Sequence, residues 1–213
     1  MIKKIVMTGL FCLLIPFLTH ANANSVILVM GDSLSAEYGL QRGSGWVKLL
    51  EAQLKAQSSP WTVLNASISG ETSSGGLSRL PALLKSKKPG LVLVELGGND
   101  ALRGLPIEQT RNNLQKMIEL SKQSGAKVLL FGMQIPPNYG QEYARLFKEL
   151  YPQLAQQNQV QLLPFFLSGI ASSQDFFQAD HIHPNEAAQA ILLKNVWGAM
   201  APYQSLLSKP QAN

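Results

Sequence analysis

Val26-Ile-Leu-Val-Met-Gly-Asp-Ser-Leu-Ser35 opens on five consecutive apolar residues and turns polar at Gly31-Asp32-Ser33. A short, β-branched run with no polar face reads as a strand covered on both sides, the habit of a buried parallel sheet. Four similar runs follow, at 62–64 (TVL), 91–96 (LVLVEL), 127–131 (KVLLF) and 160–163 (VQLL). Between them apolar residues keep helical spacing: Trp46, Val47, Leu49, Leu50 and Leu54; Leu114, Met117 and Ile118; Tyr143, Leu146, Phe147 and Leu150. Five strands alternating with helices predict a doubly wound, three-layer α/β/α domain with right-handed crossovers. The flavodoxin-like strand order 2-1-3-4-5 is expected. Pro152 predicts a kink or a restart in the helix over 141–158. Pro184 is expected as the first residue of the last helix, which runs on through Ile191, Leu192, Val196 and Trp197.

One connection is long. Residues 164–180 carry Phe165, Phe166, Leu167, Ile170, Phe176 and Phe177. A loop this rich in aromatics suits substrate binding, and it equally suits a loop folded onto the core; the two are compatible.

At the amino end, Lys3 and Lys4 precede the apolar stretch 5–18, and Ala21-Asn22-Ala23 gives an A-x-A cleavage pattern. Residues 1–23 therefore read as a secretory signal peptide cut after Ala23, leaving 24–213 as one domain in the periplasm or outside the cell. The stretch is short for a spanning helix, which needs roughly 20 apolar residues, and Pro16 interrupts it. No stable membrane insertion is expected once it is removed. Cys12 is the single cysteine and lies inside this leader, which excludes disulfides, a cysteine nucleophile and cysteine-bound metal from the remainder. The net charge is +5, and Lys3 and Lys4 supply two of those charges. The remaining excess shows no basic stripe interleaved with aromatics, so no nucleic-acid partner is expected.

Ligands of open α/β sheets bind beyond the carboxyl ends of the strands. After the first strand comes Gly31-Asp32-Ser33-Leu34-Ser35, where glycine allows a tight turn that presents a hydroxyl; a capped strand-to-helix loop would look the same. A following helix would supply free N–H groups to an oxyanion. After the second strand, Asn65-Ala66-Ser67-Ile68-Ser69-Gly70-Glu71-Thr72 places Gly70 at the opening of a helix, with Ser69 or Thr72 as its cap. After the third, Gly97-Gly98-Asn99-Asp100 offers an amide donor from Asn99 or simply a good turn. After the fourth, the stiff segment 134–140 (QIPPNYG) can form a wall. The long loop ends in Asp180-His181-Ile182-His183-Pro184. Asp180 and His183, three apart in a turn, can meet as an orienting carboxylate and a base. His181 and His183 lack further metal ligands, and no metal is expected. G-x-S-x-G and the phosphate-binding G-x-x-x-x-G-K-[ST] are both absent from the chain.

With these residues in place, the chain resembles the SGNH (GDSL) hydrolase superfamily, whose four blocks are each marked by one residue. Here these are Ser33 in GDSLS, Gly70 in NASISGET, Asn99 in GGND and His183 in DHIHPN, in order and across nearly the whole chain after the leader. GDSLSAEYGL, NASISGETS, VELGGNDALRG and PPNYG are similar to the bacterial periplasmic acyl-CoA thioesterase I / protease I / lysophospholipase / arylesterase group. The resemblance implies a monomeric serine hydrolase that needs no cofactor and acts on acyl esters and thioesters. Ser33, Asp180 and His183 would be catalytic. The N–H groups of Ser33 and Gly70 and the side chain of Asn99 would hold the oxyanion. Asp32, Leu34, Gly98, Pro137, Phe165, Phe176 and Phe177 are expected along the substrate. Glu37 departs from the pattern, which favours a small residue, often glycine, and His181 beside the base is a second unusual detail. Two rivals share the sequence: a carbohydrate O-acetylesterase with the same catalytic residues, and a non-catalytic periplasmic lipid-binding protein.

Overall fold

The structure is a computed structural model and describes residues 25–208. The leader and its cleavage point lie outside the described residues. Five parallel strands form one sheet: β1 (Val26–Gly31), β2 (Thr62–Asn65), β3 (Leu91–Glu95), β4 (Lys127–Phe131) and β5 (Gln161–Leu163), in the order β2-β1-β3-β4-β5. All five apolar runs are strands, in the expected order. The helices are α1 (Trp46–Ala56), α2 (Ser73–Lys87), the short α3 (Gly98–Leu102), α4 (Ile107–Gln123), α5 (Gln141–Asn158), α6 (Glu186–Ala199) and the terminal turn α7 (Gln204–Leu207). They cover both faces: α1 packs with α6, and α2 with α4, which also packs with α5.

Strands β1 and β3 are buried along almost their whole length, which is why neither shows a polar alternation. Trp46, Phe131 and Phe166 meet at ring-centroid distances of 5.1–5.7 Å and fill the core beside β4. Phe166 and Ile170 from the long 164–180 segment are fully buried there, so that part of it serves the core.

Two local expectations are corrected and a third is narrowed. Helix α5 passes Pro152 without a restart. Proline leaves the Lys148 carbonyl without its helical donor, but Lys148 is exposed, so water can take that place, while Leu150, Tyr151 and Leu154 lock the other face into the core. Helix α6 starts at Glu186, not Pro184, because Asn185 caps it through Ala187 N–H (3.0 Å). Pro184 is instead bridged antiparallel to Phe177. After β1 no helix follows directly: Ser35 and Ala36 N–H both turn back to Asp32 O, Tyr38 N–H to Ser33 O and Leu40 N–H to Glu37 O, giving a run of turns, and α1 begins only at Trp46.

Candidate active site

Three loops beyond the strand ends converge because separate ties hold them together. Ile68 N–H donates to Gly31 O (3.1 Å) and Asn65 Nδ2 to Ser35 O (2.7 Å), drawing the β2 loop against the turn after β1. Thr72 caps α2 by accepting from Gly75 N–H. Asp100, buried at the start of α3, accepts from Ser73 N–H (2.8 Å) and from the Ser73 hydroxyl, fixing α2 to α3. Gly70 therefore lies ahead of the helix, in a turn at φ +78°, where a side chain would be strained.

At the centre, His183 Nε2 lies 2.9 Å from Ser33 Oγ, and His183 Nδ1 lies 2.6 Å from Asp180 Oδ2. With the Nδ1 proton held by a carboxylate, Nε2 is left to accept from the serine hydroxyl. The Asp180 carboxylate also accepts from the N–H groups of Ile182 and His183, so the turn is built around it. Burial pushes the Asp180 carboxyl up, but these hydrogen bonds and the imidazole outweigh it and hold it at about 2. Asp180 is thus ionised at neutral pH.

Among the described residues, neither the Ser33 N–H nor the Gly70 N–H donates a hydrogen bond within the chain. Both are backbone donors left over for an incoming acceptor. Asn99 Nδ2 donates to Asp32 Oδ2 (2.9 Å) and to Glu71 O (3.0 Å), so both of its hydrogens are already engaged. An additional acceptor would have to share one of them.

Of the expected substrate residues whose side chains are described, Asp32 is buried and the others are partly exposed. Asp32 is 2% exposed, and its carboxylate turns inward to Leu34 N–H and Asn99. Burial raises its carboxyl to about 6, against the pull of Leu34 N–H, His183 and Asn99. Leu34 is partly buried against the core. Gly98 lies beside Asp32: a Cβ there would sit 3.6 Å from Oδ2. Phe165 is half-buried. Phe176 and Phe177 pack against the core, and their backbones pair with the histidine segment, Asn185 N–H donating to Phe176 O and Gln178 N–H to His183 O. The Pro137 side chain lies outside the described residues.

Four residues at the site were not found from the sequence. Glu95 is fully buried beneath the Ser33 turn, beside Gly31 in the sheet register. It accepts from Ser35 Oγ (2.7 Å) and from Asp32 N–H (3.2 Å), and its Oε1 has no partner. Burial, and then the Asp32 charge, pushes its carboxyl well above the usual range. A lone acid in the apolar run LVLVEL was the available signal; its partner Ser35, two residues beyond Ser33, had none. Tyr38 packs its ring 4.3 Å from that of His183, and Gln178 Nε2 donates to Tyr38 O (2.8 Å). These two left no sequence pattern. Glu37 and His181 both hold positive φ, +59° and +58°, a region that favours glycine. At Glu37 this accounts for the small residue the family pattern favours.

The model of the GDSL-like Lipase/Acylhydrolase family matches residues 29–191. The chain is 50% identical over 191 residues to the esterase TesA of Pseudomonas aeruginosa, covering 90% of this chain and 95% of that one. It is 44% identical over 183 residues to the thioesterase 1/protease 1/lysophospholipase L1 of Escherichia coli K12, covering 86% of each. Among solved structures, it is similar to the psychrotrophic esterase EstA of Pseudoalteromonas sp. inhibited by monoethylphosphonate, with 41% identity, a TM-score of 0.81, and coverage of 85% of this chain and 99% of that one.

Proposed function

The chain belongs to the GDSL-like lipase/acylhydrolase family, and from that premise we propose that it hydrolyses acyl esters and thioesters through a covalent ester on Ser33. The observation that carries this reading is the line Asp180–His183–Ser33, with contacts of 2.6 and 2.9 Å. Ser33 Oγ attacks the acyl carbonyl carbon as its proton passes to His183 Nε2. The imidazolium so formed donates from Nδ1 to the ionised Asp180. The tetrahedral oxyanion takes the free N–H groups of Ser33 and Gly70, with Asn99 as third donor by sharing a hydrogen now given to Asp32 or Glu71. Collapse expels the alcohol or thiol, which receives the proton from His183. Water, activated by the same imidazole, then releases the acid and restores Ser33. Every step uses side chains and backbone of this chain.

The names of the relatives, an esterase and a thioesterase 1/protease 1/lysophospholipase L1, favour thioesters, lysophospholipids and simple esters over acetylated carbohydrate. A lipid carrier would have no use for the hydroxyl–imidazole–carboxylate line. The reading includes export, with the leader cut after Ala23, and action as a monomer in the periplasm or outside the cell. Among the described residues no helix is long and apolar enough to cross a membrane.

The test is release of nitrophenolate from p-nitrophenyl esters, acetyl to palmitoyl, by the native protein and by Ser33→Ala. Turnover by the native protein alone supports the serine ester, and the preferred chain length reports the substrate class. Equal turnover by both proteins, or none on any ester, would overturn it.

A further inference from the structure

Glu37 sits between the nucleophile turn and α1, in a backbone conformation that a side chain disfavours. Something must compensate, and its carboxylate does. Oε1 accepts from Gly45 N–H (2.9 Å), and both oxygens lie 3.0–3.1 Å from Gly43 N–H. A Cβ on Gly45 would come within 2.6 Å of Glu37 Cγ, so only glycine lets the acid lie there. The loop 37–45, which carries Tyr38, is thereby closed on itself.

Tyr38 is 49% exposed, yet its ring lies 4.3 Å from the His183 ring at a tilt of 39°. Its backbone is fixed from the other side. Gln178 Nε2 donates to Tyr38 O (2.8 Å) and to Pro184 O (3.2 Å), while Gln178 N–H donates to His183 O (2.8 Å). Gly39 makes room for this, since a Cβ there would overlap Gln178 Oε1. A single residue, Gln178, thus ties the backbone of the ring that covers the imidazole, through its side chain, to the backbone of His183, through its own N–H. Gln41 N–H donates to Glu186 (3.1 Å) at the start of α6, a further tie between the two segments.

We propose that Glu37 and Tyr38 are positioning residues for His183: the Glu37 carboxylate latches the loop 37–45 so that the Tyr38 ring holds the imidazole in line with Ser33. An aromatic face within about 6 Å of a cation also attracts it, so the ring favours the imidazolium that forms as Ser33 gives up its proton. This rests on the reading of His183 as the base. Neither residue is needed to bring Ser33 and His183 onto the same sheet edge, which the strand order does. Their effect falls on the rate of the chemical step.

The experiment is steady-state hydrolysis of p-nitrophenyl butyrate by the native protein and by Tyr38→Ala, Tyr38→Phe, Glu37→Gly, Glu37→Gln and His183→Ala. Tyr38→Ala should lower kcat about tenfold with KM within about twofold, from lost orientation and lost cation attraction. Tyr38→Phe keeps the ring and should stay within about twofold of native. Glu37→Gly relieves the backbone but cuts the latch, and should lower kcat about threefold or more; Glu37→Gln keeps an acceptor oxygen and should recover most of it. Unchanged kcat in both Tyr38→Ala and Glu37→Gly, or a loss confined to KM, would overturn the proposal. If His183→Ala itself kept full activity, the reading of the base would fail instead, which separates the two failures.

Discussion

His183 Nε2 and Ser33 Oγ lie 2.9 Å apart although 150 residues separate them in the chain. Groups that act in a single step lose their effect together. Ser33→Ala and His183→Ala should each lower kcat by about 10⁴ or more, and the double variant should be no slower than the worse of the two. Single-turnover kinetics on a p-nitrophenyl ester checks this; losses that multiply would show two independent contributions.

Asp180 is held at about 2 by hydrogen bonds to its ionised form. A carboxyl whose folded value is depressed adds stability above its unfolded value, and that stability is lost as pH falls through the folded value. The advantage of the native protein over Asp180→Asn should therefore persist down to about pH 4 and vanish near pH 2. In activity, Asp180→Asn should cost about 10²–10⁴ in kcat at neutral pH by holding the wrong tautomer. Denaturant titrations at stepped pH, with rates at pH 7.5, provide both readings.

Asp32 has the opposite sign. Its carboxyl is raised to about 6 by burial, so the native state prefers it protonated. The stability this gives is present below its unfolded value and disappears as pH rises through about 6. Relative to Asp32→Asn, the native protein should lose up to about 3 kcal/mol between pH 4 and pH 7. Urea unfolding of both proteins across that range measures the change; a constant difference would mean that Asp32 is not strained by its charge.

Glu95 Oε2 receives both Ser35 Oγ and Asp32 N–H in a fully buried place. Glu95→Gln keeps an acceptor for these donors and should change stability by less than about 1 kcal/mol. Glu95→Ala leaves them stranded beside a cavity and should cost about 2–5 kcal/mol. Thermal and urea melts decide; equal effects of Ala and Gln would show that the acceptor does not matter.

Phe166 packs on Trp46 and Phe131 and is fully buried. Phe166→Ala should cost about 3–5 kcal/mol without altering the preferred acyl chain length. A changed chain-length profile in a stable variant would assign the ring to the substrate instead.

The reading of β1 needed no tertiary information, because a strand covered on both faces must be apolar throughout. Short apolar runs marked the other strands too, although β2 and β5, at the sheet edges, are only partly covered, and the alternation with helices gave the layers. Ser33, Gly70, Asn99, Asp180 and His183 were legible for a related reason: each follows the end of a strand or the long loop, and strand order then brings those ends to one edge. Boundaries were less legible. Pro152 inside α5 and Asn185 as the cap of α6 depend on which face is exposed and which side chain reaches back. Tyr38 and Gln178 were invisible, since nothing in GDSLSAEYGL or in the aromatic loop says that the two will meet over an imidazole. The sequence by itself determined the fold and the chemical groups, because both follow from periodicity and from residue types at strand ends. Only the tertiary structure decided how those groups are held, because a hydrogen bond or ring contact between distant segments depends on the angle at which two loops arrive, and no local pattern records that angle.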